Sequence, residues 1–369
     1  MTCLGDCPTC DFKPLTPELW KLSLRGVKKQ TARGADALTT REVELILGQA
    51  LVWVLEIFTA IEKGAWTITR VVALNKGFQA RTPLDIRPIS ILPKMHRLWS
   101  RIRSLEVLNH LGAIMPPQVA ATAGGISADL LAVYIAFRCE HAHKTSEHLA
   151  GLVVDIIKCY NNIPWIPMKM ILQKLQIPGF YIHALFNFLQ QQTRCFDVKG
   201  ACGPMMSATT GIAEGCALSV AMMMALSYLM RKVLQFHIPS IESTAYADNW
   251  SLIAYHPQDL HMGANLLHEC VGVLHMQLAP QKSWVWATNP KWKKELSISF
   301  DNVLVPFKSN AIDLGCDLHY GAKKILHARN KRRDKAKRVV KKISKIKAPR
   351  GFKRLMASAS GYGAIAYGS

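Results

Sequence analysis

The chain has 369 residues, half of them hydrophobic, with a formal charge of +21 and an isoelectric point near 9.7. That length and apolar content hold two or three sub-domains with a buried core, and they exclude a solvated tail. The cationic surplus favours a polyanionic partner, nucleic acid first and an anionic membrane surface second.

Met1 to Asp11 lacks the apolar core of a secretory signal. Its "CLGDCPTC" (Cys3, Cys7, Cys10) reads as a disordered leader ahead of a zinc site, since no fourth ligand is evident nearby. The other Cys are scattered, as reduced core thiols of an intracellular protein are. Thr39 and Thr40 offer an N-cap for a helix running to Glu62. "WTITRVVALNKG" (66–77), rich in β-branched residues and ending in Gly, reads as a strand. "ISILPKMHRLWSRIRSLEVLNHLG" starts extended and becomes a helix that stops at Gly112. "HAHKTSEH" (His141, His143, His148) reads as a solvated loop ahead of a metal site, with no second shell around it.

Residues 148–157, "HLAGLVVDII", read as a buried strand, and "MKMILQKLQI" and "YIHALFNFLQQQ" as helices. "GCALSVAMMMALSYLMRKVLQF" is the most apolar helix, yet its longest nearly apolar run, 15 residues from Cys216, is short for a membrane span. "STAYADNWSLIAYH" (243–256) reads as a hairpin with the polar pair Asp248–Asn249 at its tip. A helix over about 257–275 and a strand-rich stretch to Leu318 follow. From Lys323 to Arg354, sixteen Lys or Arg stand against one acid, Asp334. Ala336, Val339, Val340, Ile343 and Ile346 recur there at helical spacing, so the segment reads as one amphipathic helix whose cationic face grips a phosphate backbone.

Two acids stand out against this background. Asp155 follows the run "GLVV", and Asp248 sits between two apolar runs. An acid beside a buried strand is costly unless it is paired or binds a cation. If the two strands are neighbours, the carboxylates meet at one sheet edge, where Mg²⁺ would relieve their repulsion.

Nine segments follow one another in a telling order: "VKKQTARGADALTTREVELI", "RVVALNKGFQARTPLDIRPISILPKMHRLWSRIR", "QVAATAGGISAD", "VVDIIKCYNNIP", "GIAEGCALS", "AYADNWSLIA", "MQLAPQKSWVW", "IDLGCDL" and "SASGYGAIAYGS". In that order they resemble a reverse transcriptase of the non-LTR (LINE-type) retroelement kind and, more distantly, those of group II introns. The resemblance spans roughly residues 21–369. It implies an α+β right hand: a leader over 1–20, fingers over 21–147 with part of the palm helices, an antiparallel-sheet palm over 148–320, and a basic helical thumb over 321–369. It also implies RNA-directed DNA synthesis by two-metal phosphoryl transfer. Two Mg²⁺ (or Mn²⁺) ions would be held by Asp155, the Ile156 carbonyl, Asp248 and Asn249. Lys282 would donate a proton to pyrophosphate. Lys76 and Arg87, assisted by Arg81, would hold the incoming triphosphate. Tyr160 would exclude a ribose 2′-OH, Gly211 and Gly215 would let template and nucleotide pass close to the backbone, and Tyr246 would lie under the primer terminus. The implied partners are an RNA template, a DNA primer and deoxynucleoside triphosphates, with no membrane; no protein partner is legible. The implied location is intracellular, in the nucleus.

The chain departs from the family pattern at several positions. Asn249 stands where the third palm motif has a second Asp, and Asn161 where the first motif often closes with Asp. In the second motif Glu214 replaces Gln, Cys216 replaces Ser and Val220 replaces Pro. Two rival readings therefore stay open: a catalytically impaired nucleic-acid-binding relic, and an RNA-templated RNA polymerase, against which Tyr160 stands. By the same resemblance the length leaves no room for an endonuclease domain before Lys21 or an RNase H domain after Ser369.

Overall fold

The structure, a computed structural model, describes residues 7–25, 27, 38–62, 69–75, 86–120, 127–198, 201–321, 327–346 and 349–357. Helix α1 (Pro17–Leu24) starts at Thr16, whose hydroxyl accepts from the Leu19 amide, and Pro17 presets its first turn. The helix expected from Thr39 forms in two pieces. A capping box between Thr39 and Glu42 starts α2 (Thr40–Glu44), and α3 (Gln49–Glu62) begins after a break. β1 (Thr69–Asn75) and β2 (Ile86–Ile91) precede α4 (Lys94–Ile114), which runs two residues past Gly112. After β3 (Val119–Ala120) comes α5 (Ala128–Thr145), which places His141 and His143 on a helix where a loop was expected.

The chain continues through β4 (Ala150–Asp155), α6 (Cys159–Asn162), α7 (Trp165–Lys174) and α8 (Gly179–Gln191). Short strands β5 (Thr193–Val198), β6 (Ala201–Cys202) and β7 (Met206–Ser207) lead to α9 (Ala217–His237). The hairpin of β8 (Glu242–Tyr246) and β9 (Asn249–Ala254) is followed by α10 (Pro257–Val273) and β10 (Trp284–Ala287). Two further hairpins are β11 (Ser299–Phe300) with β12 (Val303–Leu304), and β13 (Asn310–Asp313) with β14 (Cys316–His319). The cationic segment forms two helices, α11 (His327–Ser344) and α12 (Arg350–Ala357), with Pro349 just before the second.

These elements gather into two compact units, each assembled from three stretches of chain. The first comprises Met1–Gly124, Ile156–Val233 and Cys270–Gln277; the second comprises Gly125–Asp155, Leu234–Glu269 and Leu278–Ser369.

In the first unit a sheet runs β2-β1-β5-β6, with β7 beside β5; β1 is antiparallel to β2 and parallel to β5. Its core is aromatic, with Trp20, Phe58, Trp99, Tyr181 and Phe188 fully buried. Residues 7–16 do not stand apart as a leader. Phe12 packs edge-on against Tyr181 at 5.1 Å, and Cys10 is buried. Burial, with Glu106 and Asp11 nearby, pushes the Cys10 thiol up to about 11, and Cys3 of the same cluster lies outside the described residues. Arg103, equally buried, is satisfied by Glu62 at 2.6 Å and Glu106 at 2.7 Å. Helix α9, at 21 residues, is long and apolar enough to cross a membrane, but 67% of its most apolar window lies inside the protein. Leu218, Met222, Met223 and Leu226 on this helix are core residues of the unit.

The second unit holds an antiparallel sheet ordered β10-β4-β9-β8. Alternation along β4 puts Gly151, Val153 and Asp155 on one face. Trp286 of β10 lies over Gly151, where a Cβ would come within 2.1 Å of its ring. Trp286 in turn stacks on Tyr320 at 4.4 Å. Ile135 and Cys139 of α5, with Cys316 and Leu318 of β14, complete this apolar layer. Helix α5 is also tied to β8, because Tyr134 and Arg138 both donate to Glu242. Among the described residues of α11, Ala336 and Ile343 are buried and Val339 is half-buried. Val340 and Ile346 are exposed, so the buried stripe is narrower than its spacing suggested.

Candidate active site

Strands β4 and β9 are antiparallel neighbours, and Asp155 lies directly opposite Asn249. Tyr246 pairs with Asn249 across the hairpin, so the two-residue tip is Ala247–Asp248, one residue earlier than the polar pair indicated. Ala247 adopts the left-handed conformation (φ 53), and its carbonyl accepts the indole N–H of Trp250 at 3.2 Å. A side chain other than Gly in that region carries strain that the flanking strands hold in place. The shift matters because Asn249 becomes a strand residue on the Asp155 face, while Asp248 takes the turn beside it. The two acids singled out in the sequence thus share one end of one sheet.

Asp155 is held from the other side by the turn before β10. Its carbonyl accepts from the Ala279 amide at 2.8 Å, and its own amide donates to the Ser283 hydroxyl at 3.3 Å. Ser283, fully buried, also donates to the Ala279 carbonyl at 2.8 Å. This clamp delivers Lys282, whose ammonium donates to Asp155 Oδ2 at 3.2 Å. Sequence reasoning found Lys282 but missed Ser283, its neighbour.

It also missed Asp313. At the end of β13 this acid is 2% exposed, and its Oδ1 accepts the Asn249 side-chain amide at 2.7 Å. Its other oxygen is buried without a hydrogen-bond partner. Burial raises its carboxyl above the ordinary Asp value, and the bonds from Asn249 and the Leu314 amide oppose that only in part. The signal was available in "NAIDLG", where an acid follows an apolar strand as Asp155 does.

Asp155, Asp248 and the amide oxygen of Asn249 are hard oxygen donors, the set that suits Mg²⁺ or Mn²⁺. Among the described residues no group of three or more His, Cys, Asp or Glu comes together. A cation held here would therefore complete its shell from backbone, substrate phosphates and water, as Mg²⁺ ordinarily does. The Lys282–Asp155 pair has the same electrostatic sense, a positive charge against this carboxylate.

The remaining expected residues belong to the first unit. Tyr160 and Asn161 lie on α6, and loop 210–216 runs alongside. Ile212 donates its amide to the Tyr160 carbonyl at 2.7 Å, Gly211 to that of Ile163 at 2.9 Å, and the Trp165 indole to that of Gly211 at 2.7 Å. Gly211 has φ 80, and a Cβ there would fall 2.3 Å from the Asn161 carbonyl oxygen. Its missing side chain therefore makes room for the chain's own backbone. Gly215, at φ 108, is exposed, and Tyr160 is half-buried. Asn161 donates to Glu214 Oε1 at 2.8 Å, joining two of the departures from the family pattern. Ile156, next after Asp155, is buried. Arg87 lies on β2 opposite Leu74 of β1. Lys76 and Arg81 fall outside the described residues.

An antiparallel sheet with one acid ending a central strand and a second on the adjoining hairpin defines a class, proteins that gather carboxylates at a rigid sheet end. Comparison with known families is specific: the model described as "Reverse transcriptase (RNA-dependent DNA polymerase)" matches residues 75–300. The chain belongs to the reverse transcriptase family. It is also similar to a Drosophila melanogaster protein named "Probable RNA-directed DNA polymerase from transposon X-element", with 21% identity over 222 residues. The match covers 58% of this chain and 24% of that protein, so the chain spans about a quarter of its relative's length.

Proposed function

We propose that this chain is an RNA-directed DNA polymerase that extends a primer 3′-OH with deoxynucleotides. In this reading the β10-β4-β9-β8 sheet is the palm, the basic α11 and α12 belong to the thumb, and the fingers lie within residues 21–147. The observation that carries it is the direct pairing of β4 with β9 in a member of this family, which puts Asp155 beside the Asp248 hairpin. The primer 3′-OH attacks the α-phosphate of the nucleotide and pyrophosphate leaves. Two Mg²⁺ or Mn²⁺ ions, held by Asp155, Asp248, the Ile156 carbonyl and Asn249, would supply stabilisation of the attacking and leaving oxygens. Lys282 protonates the leaving pyrophosphate, Tyr246 supports the primer end, and Tyr160 crowds a ribose 2′-OH. Lys76, Arg81 and Arg87 neutralise the triphosphate, and Gly211 and Gly215 shape the loop beside Tyr160.

The relic reading rested on Asn249, Glu214 and Asn161. In the structure each of these side chains is engaged in an amide–carboxylate hydrogen bond, which supports a maintained site. The test is primer extension on an RNA template with deoxynucleotides, in Mg²⁺ and in Mn²⁺, by the unmodified chain, Asp155→Asn and Asp248→Ala. Extension that both variants abolish supports the polymerase. A silent unmodified chain that still binds primer–template returns the relic.

A further inference from the structure

Asn249 is the group at the sheet end whose chemistry depends on which way it faces. Its amide has one end that can ligate a cation, the carbonyl oxygen, and one that cannot, the NH₂. The two ends diverge from the same planar carbon, so fixing one fixes the other. The NH₂ end is occupied, because it donates to Asp313 Oδ1 at 2.7 Å across the gap between β9 and β13. Asp313 is 2% exposed and anchored in the β13–β14 hairpin, where Asp313 pairs with Cys316. Asp313 Oδ1 acts as an acceptor in this bond, which takes the NH₂ end and leaves the amide oxygen free of β13.

We propose that Asp313 is a positioning residue that fixes the Asn249 amide with its oxygen turned away from β13, so that Asn249 serves as a neutral ligand beside Asp155 and Asp248. This rests on reading that sheet end as the metal site. It carries a consequence for residue 249 itself. An Asp there would face Asp313 at hydrogen-bonding distance without the amide donor, so the two carboxyls would repel unless one took up a proton, a less favourable pair than the present one. Asn249 thus suits the carboxylate at 313, and an acid at 249 needs an amide at 313.

The test combines Mn²⁺ titration followed by electron paramagnetic resonance with thermal unfolding, on the unmodified chain, Asp313→Leu, Asp313→Asn, Asn249→Asp and the exchange Asn249→Asp/Asp313→Asn. Leu replaces a buried charge by an apolar group of similar size, so Asp313→Leu is expected to fold, as circular dichroism would verify. We expect Asp313→Leu to weaken Mn²⁺ binding roughly tenfold or more, the effect typical of losing a group that orients a ligand. Asp313→Asn, which can still offer a carbonyl oxygen to Asn249, recovers most of that loss. Asn249→Asp lowers the melting temperature, and the exchange restores it. Asp313→Leu binding Mn²⁺ as tightly as the unmodified chain overturns the proposal alone, as does an Asn249→Asp chain whose melting temperature Asp313→Asn does not raise. An unmodified chain that binds no Mn²⁺ overturns the metal reading, and this proposal with it.

Discussion

Asn161 donates its side-chain amide to the Glu214 carboxylate at 2.8 Å, joining α6 to the loop that carries Gly211 and Gly215. Each residue, taken singly, is a departure from the family pattern. Together they make one satisfied contact with a single donor and a single acceptor type, so neither charge nor amide is stranded.

That contact makes a prediction for single and double substitution. Asn161→Asp sets two carboxylates face to face and is expected to destabilise by about 1–3 kcal/mol. Adding Glu214→Gln restores a donor–acceptor pair and most of the stability. Urea unfolding of Asn161→Asp, Glu214→Gln and the double variant measures the coupling, and strictly additive effects would show that the contact is not formed in solution.

Lys282 is 60% exposed on its side chain, so its bond to Asp155 is screened and contributes little to folding. Its proposed role is at the leaving group. Lys282→Met is expected to slow primer extension by about 10²–10⁴-fold with an unchanged melting temperature. Lys282→Arg keeps the charge but holds its proton too tightly to give it up, so it should recover nucleotide binding more than turnover. Single-turnover extension separates the two. Equal kcat for Lys282→Met and the unmodified chain would remove Lys282 from the chemistry.

Gly211→Ala meets two obstacles at once, a left-handed φ of 80 and a Cβ 2.3 Å from the Asn161 carbonyl oxygen. The expected cost is about 2–4 kcal/mol, read by denaturant unfolding. The substitution should also open the Ile212–Tyr160 backbone bond, visible as faster exchange of the Ile212 amide. A stability loss within 0.5 kcal/mol, roughly the range of a neutral surface change, would contradict the close approach.

His96 on α4 is fully buried, stacked 4.0 Å over Phe188 and 3.6 Å from the Cys216 sulfur. Burial first, and Arg97 second, push its ring down to about 3 from an ordinary 6.5. Between those values the unfolded chain binds a proton that the folded chain refuses, so stability falls as pH drops through 6.5 towards 3. The slope from this one group reaches about 1.4 kcal/mol per pH unit at most. His96→Phe, which keeps the stacking, should flatten the melting temperature between pH 6 and about 4. An unchanged profile would assign the acid sensitivity to other groups.

Much of the fold was legible in the sequence. Thr39 and Thr40 announced a helix start, the Val- and Leu-rich run before Asp155 announced a buried strand, and the order of motifs announced the family. The readings that failed did so for identifiable reasons. Helix α5 was passed over because its histidines and the polar stretch around them were weighed ahead of Leu131, Ile135 and Cys139, which face the core at helical spacing. The hairpin tip was placed one residue late, because Asp and Asn favour turns while Ala247 reveals its left-handed backbone only in the fold. Residues 1–20 were read as a leader because Phe12 and Cys10 show no periodicity of their own; in the fold Phe12 packs on Tyr181 of α8 and Cys10 is buried.

By itself the sequence determined many of the strands and helices, which two acids to suspect and which family to expect. Those properties are local: burial alternates with the period of each element, and each motif is contiguous. Only the tertiary structure decided that Asp155 faces Asn249, that Asn249 leans on Asp313 64 residues further on, and that Asn161 meets Glu214 across 53 residues. Partners so distant along the chain are set by strand register and by which faces pack together. A buried carboxylate and the amide that satisfies it leave no mark on each other's neighbours in sequence.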